Sequence, residues 1–258
     1  MFSTLTRLEA GLFAGLAAAV AVALWGPHVA QDAHFHAFAD QRVVWGIPNA
    51  LDVLSNLPFL VGGGWGLWVL QKMPNTLRAS TQWKLCAVFF AGLLLTALAS
   101  GYYHLQPDDL GLAWDRLGMV VAFAGLAGLA AADRVSGRAG LSVALVVLLA
   151  GPIGILVWRS TGNLLAWSVV QGGGMLLVLA LGCCKPLAGA WRVSLALVIG
   201  IYVAAKLCEF ADVEVFELTR GWLSGHSLKH MVAAVAAWPV LLAVLNHDSQ
   251  KAKADTSE

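Results

Sequence analysis

Five side chains in this sequence have the types and spacing to hold a metal and work on its bound water. The stretch from Ser224 to Leu245 reads SGHSLKHMVAAVAAWPVLLAVL, with His226 and His230 four apart at the head of an apolar run. Residues i and i+4 share one face of a helix, which lets two imidazoles bind one ion. A second stretch, SGYYHLQPDDLGLAWD, repeats the spacing with Ser100 and His104 and ends on the acid Asp115. His104 would complete a three-histidine set and leave the fourth position on Zn2+ open to water, as in catalytic zinc sites. Zinc brings bound water to a pKa of ~7. Asp115 is placed to accept its proton, and Ser100 to donate a hydrogen bond to the water or to a developing oxyanion. Plainer readings compete. A lone histidine at a helix end is usually an interfacial polar residue, Lys229 would snorkel to the headgroups, and Asp115 is free to pair with Arg116. Ionisable groups at membrane depth are costly, and that favours function.

The elements that position these residues are membrane helices. The chain is 59% hydrophobic and 12% charged, with a mean hydropathy of +0.75. Its apolar runs are long and continuous, unlike the ~10-residue alternation of a barrel. An all-α polytopic membrane protein with eight spans is expected: about 9–27, 47–70, 82–104, 111–131, 139–158, 163–184, 190–210 and 226–246. Residues 1–30 would hold an additional N-terminal transmembrane helix, 31–46 an outer-side loop, 47–246 a seven-helix catalytic bundle, and 247–258 a polar cytoplasmic tail. Arg7 before GLFAGLAAAVAVALWGP imitates a signal peptide, but the best cleavage string, HVA, puts His28 where a small residue belongs. The first span is expected to stay.

Eight spans put both termini on one side. Ten of the sixteen Lys and Arg residues fall at the termini or in the loops after spans two, four and six, which places that side in the cytoplasm. Parity then sets the end of span three and the starts of spans four and eight on the outer face. Ser100, His104, Asp115, His226 and His230 gather at one depth although 131 positions of sequence separate them. A bacterial inner membrane with the site facing the periplasm is the expected location.

The pattern Ser100-x3-His104, Asp115 and His226-x3-His230 resembles the signature shared by alkaline ceramidases, adiponectin/progestin-type receptors and related seven-helix membrane hydrolases. NALDVLSNLPFLVGG, from Asn49, resembles the alkaline ceramidase branch in particular, and the resemblance covers about residues 40–246. It implies zinc on His104, His226 and His230, Asp115 and Ser100 around the water, and hydrolysis of the ceramide amide to sphingoid base and fatty acid. Two departures stand out. The first span is extra to seven helices, and HFHAFADQRVVWGIPNALD lacks the acidic D-W-x-E-x-N calcium motif of the eukaryotic ceramidases. Ca2+ wants six to eight oxygens. Asp40, Asn49 and Asp52 do not supply them, so calcium is doubtful.

Around the centre, Asn49, Asp52, Ser55 and Asn56 form a polar stripe in span two, either bonding across helices or supporting the histidines. Lys206 and Glu209 suggest an ion pair or headgroup recognition, and Tyr103 borders His104. His34 and His36 have the spacing for a second metal site, though a loop H-x-H is more often solvated. The glycine clusters GGGWG and QGGGM suit close helix packing. Cys86, Cys183, Cys184 and Cys208 have no metal or disulfide spacing, and a net charge of +1 argues against nucleic acid.

The expected function is a zinc-dependent membrane amidohydrolase acting on ceramide-like lipids. Its rivals are an ester-cleaving or lipid-remodelling hydrolase of the same superfamily, a receptor-like lipid-binding protein with structural zinc, and, more weakly, a transporter, for which no internal repeat is evident. Chain-length preference and oligomeric state are not encoded legibly.

Overall fold

The computed structural model describes residues 5–255, with side chains as far as His247. The Lys251 and Lys253 side chains assigned to the cytoplasmic tail lie outside the described residues. The helices are α1 (Arg7–Trp25), α2 (Ala50–Lys72), α3 (Thr81–Leu105), α4 (Asp109–Arg134), α5 (Gly137–Thr161), α6 (Leu165–Gly182), α7 (Leu195–Phe210), α8 (Asp212–Leu218) and α9 (Gly225–His247, continuing to Asp255). Among the described residues there is no strand, only two isolated bridges. The protein is an all-α polytopic membrane protein. All of these helices except α7 and α8, seven in number, are long and apolar enough to cross a bilayer.

The seventh expected span, 190–210, is shorter than its hydropathy suggests. Its first residues stay outside the helix, with Arg192 in the left-handed region at φ 61°, because the Trp191 and Val193 amides each donate to the Asp133 carboxylate at 3.1 Å. The helix therefore begins at Leu195 and runs for 16 residues, about 24 Å at 1.5 Å per residue. Its two ends are nonetheless far apart in the bundle. Trp191 stacks on His247 at the far end of α9, while Asp212, just past the other end, accepts from the His226 amide at 2.7 Å.

α4 is the central helix, with 72% of its apolar window buried, whereas α1 is peripheral at 11%. Small residues let α3 and α4 touch along their backbones. A Cβ on Gly92 would lie 2.2 Å from the Ala122 nitrogen, and one on Gly125 2.3 Å from the Phe89 nitrogen. That close pairing fixes the level of His104 on α3 against Asp115 on α4. Asp108 caps α4 by accepting from Gly111 N, and Ser224 caps α9 by accepting from Ser227 N, so both site helices start where their sequences signal it.

Prolines break two of the site helices. α2 is interrupted at Ser55–Asn56 ahead of Pro58, and α9 at Val235–Ala236 ahead of Pro239, where shorter i to i−3 bonds replace the lost ladder. At the opposite end of the bundle, buried Glu9 accepts from Ser136 Oγ at 2.6 Å and Arg138 Nη2 at 2.8 Å, which ties α1 to α5.

Candidate metal centre

His104, His226 and His230 meet. Their candidate ligand atoms lie within 4.8 Å of one another, all three residues are buried, and among the described residues no other group of three or more His, Cys, Asp or Glu side chains is set to hold an ion. The ring centroids form a near-equilateral triangle, 4.9 Å from His104 to each partner and 4.8 Å between His226 and His230. Three imidazoles packed edge to face in a buried site form an arrangement that could hold one ion.

The donors suit a borderline metal such as zinc. His104 Nδ1 is buried with no hydrogen-bond partner, the kind of orphan that a metal ligand satisfies. Ser55 Oγ, which donates to the Asp52 carbonyl at 2.9 Å, lies 2.8 Å from His230 Nδ1. With its proton spent on Asp52, the serine accepts from Nδ1–H, and Nε2 of His230 is left bare for an ion.

Asp115 is half-buried. Ser100 is near enough to hydrogen-bond its carboxylate, and the charge of Lys229 reaches it too. It does not bridge to Arg116. That guanidinium stacks 4.2 Å over the Trp158 ring and donates to Gln31 Oε1 at 2.9 Å. The guanidinium's hydrogen bond and ring contacts thus go elsewhere, while its charge still reaches the acid.

The supporting residues divide by what they touch. Asn49, in the left-handed region at φ 47°, donates from Nδ2 to the His104 carbonyl at 2.9 Å. Asp52 is fully buried and accepts from Ser227 Oγ at 2.6 Å and Ser224 Oγ at 3.2 Å, clamping the first turn of α9 to α2. Asn56 bonds back to the Asp52 carbonyl of its own helix at 2.8 Å and not across helices. Tyr103 Oη meets His36 Nδ1 at 2.8 Å, and the other nitrogen of His36 lies 3.1 Å from Asp109. His36 is a strut between the loop and α3–α4. His34 is exposed beside Asp32 at 3.7 Å, so the pair does not form a second metal site.

Lys206 pairs with Glu209, as their spacing suggests, but Glu209 also takes Lys229 at 3.3 Å. Lys229 does not snorkel outward. Its Nζ lies 2.9 Å from His226 Nε2.

No protein-family model matches this chain, and no curated protein matches it. Its own side chains also reveal partners with no spacing signal in sequence. Phe38 is buried with its ring centroid 4.7 Å from that of His104 and 4.5 Å from that of His226, so the loop before α2 forms a wall of the centre. Asp212 holds that loop and the last helix together, accepting from Ala39 N at 2.9 Å and His226 N at 2.7 Å.

Proposed function

We propose that this protein is a zinc-dependent amidohydrolase of the alkaline ceramidase type, embedded in the membrane and cleaving the N-acyl amide of ceramide-like lipids. The observation that carries the reading is the convergence of His104, His226 and His230 on one buried point, with Asp115 held by Ser100 within electrostatic reach of Lys229, whose Nζ lies 2.9 Å from His226. A zinc ion held by the three imidazoles would polarise an amide carbonyl and lower the pKa of water to ~7. Asp115 takes the proton of the attacking water and returns it to the leaving nitrogen, so that acid and amine separate as fatty acid and sphingoid base. Ser100 aims the carboxylate, and Ser55 fixes the tautomer of His230. Phe38 walls off water from one side of the histidines. A carboxylate positioned for proton transfer is more than a purely structural zinc requires.

We further propose that α7 also crosses the membrane, as the seventh of eight spans. Asp133 and His247 hold its start at one end of the bundle and Asp212 places its finish at the other, so its chain traverses the same distance as α9. With eight passes and the Lys/Arg bias, both termini face the cytoplasm and the metal centre faces the outer side, the periplasm of a bacterial inner membrane.

The test is fatty-acid release from a short-chain ceramide and from an O-acyl counterpart by the purified protein, with and without a chelator. Chelator-sensitive release from the N-acyl lipid is expected. Cleavage of the ester alone would reassign the bond, and an inert zinc-loaded protein would contradict hydrolysis.

A further inference from the structure

We infer that Lys229 competes with the metal for His226. The inference rests on the zinc reading above and deepens it. Lys229 Nζ lies 2.9 Å from His226 Nε2 and 3.3 Å from Glu209 Oε1. An ammonium group can only donate, so Nε2 spends its lone pair on Lys229 and the ring's proton sits on Nδ1. An ion taking Nε2 must evict the ammonium from that lone pair. An ion taking Nδ1 forces the ring proton onto Nε2, which then donates and has nothing left to accept with. On either nitrogen, ligation by His226 and the hydrogen bond from Lys229 exclude each other.

Charge acts in the same direction. Lys229 interacts electrostatically with all three imidazoles, so its cation opposes an arriving dication in a site where screening by water is weak.

The fold supplies a second place for the ammonium. Glu209 sits on α7, already paired with Lys206, and Lys229 reaches it without leaving the helix seam. The seam cannot open easily there, because a Cβ on Gly225 would lie 2.2 Å from the Cys208 carbonyl oxygen. The turn bearing Glu209 and the turn bearing His226 are therefore in backbone contact. Lys229 has one acceptor on each helix, and an ion on His226 leaves it only Glu209. The lysine makes the centre bind metal less tightly than three bare imidazoles would, and it couples metal occupancy to the α7–α9 contact.

The experiment titrates Zn2+ against a chromophoric chelator into the full-length protein in detergent, as wild type, Lys229→Met, Glu209→Gln and Lys206→Met, with thermal unfolding confirming each fold. Losing a charge-assisted competitor should tighten the Kd of Lys229→Met by at least about tenfold. Glu209→Gln should weaken zinc by about threefold or more, since the released ammonium loses its anionic partner and keeps only a neutral acceptor. Lys206→Met removes a cation that reaches His226 through its charge but makes no hydrogen bond to it, and should change Kd by less than about threefold. Unchanged or weaker zinc binding in Lys229→Met overturns the proposal, as does equal tightening in Lys206→Met. Should Lys229→Met not fold, unaltered affinity in Glu209→Gln overturns it instead. Absence of zinc from the wild type as well would sink the metal reading beneath it.

Discussion

Ser55 Oγ, on α2, lies 2.8 Å from Nδ1 of His230, on α9. The contact spans 175 positions of sequence and decides which nitrogen of the imidazole faces its two partners. Ser55→Ala removes the acceptor that holds the tautomer. Zinc affinity should fall about 10- to 100-fold while the fold persists, the usual cost of losing a group that orients a histidine ligand. A competition titration measures it, and unaltered affinity would make the serine a spectator.

Asp115→Asn should separate binding from turnover. The amide keeps the size of the carboxylate but cannot take a proton, so zinc stays stoichiometric and hydrolysis drops by about 10²- to 10⁴-fold. Ser100→Ala should lower turnover less, because it aims the carboxylate and leaves it ionisable. Full activity in Asp115→Asn would remove that residue from the chemistry.

The topology was largely legible in sequence, because a bilayer demands long apolar runs and the ends of those runs carry cap residues. The positions of α1 to α6 and α9 follow from that demand within a few residues. The three histidines were legible for the same reason, since parity sets helix ends at one level. Lys229 was not. Its four-carbon stem suits snorkelling equally well, and only the nearness of Glu209 on α7 turns it inward. Phe38 and Asp212 were hidden more deeply, because a loop has no period from which a contact 173 residues away can be read. The start of α7 was misplaced because hydropathy does not register an aspartate 58 residues upstream that claims the Trp191 amide.

Phe38→Ala should unwall the centre. Truncating a buried aromatic costs about 3–5 kcal/mol in a well-packed core. The sharper readout is kinetic: a chelator should strip zinc from the variant faster than from the wild type. Equal stripping rates would mean that Phe38 shields nothing.

The same loop should hold from alkaline to mildly acidic solution and loosen only in acid. Burial works against an ionised Asp40, but hydrogen bonds from the Arg42 side chain and amide outweigh it and hold the carboxyl below its ordinary value. A depressed folded pKa means that the stabilisation is complete above the unfolded carboxylate pKa of ~4 and disappears as pH falls through the folded value. Protease protection of residues 31–46 should therefore stay level down to about pH 5 and then decline. Asp40→Asn should weaken protection at neutral pH. Loosening of the wild-type loop between about pH 8 and 6 would contradict this assignment.

The central claim is that three imidazoles from α3 and α9 hold one divalent ion. X-ray absorption of the purified, zinc-loaded protein tests it most directly, alongside metal content in His104→Ala and His230→Ala. One zinc per chain with three nitrogen scatterers at about 2.0–2.1 Å, lost in both variants, is the expected result. Zinc that survives both substitutions, or a first shell dominated by sulfur or carboxylate oxygen, would contradict it.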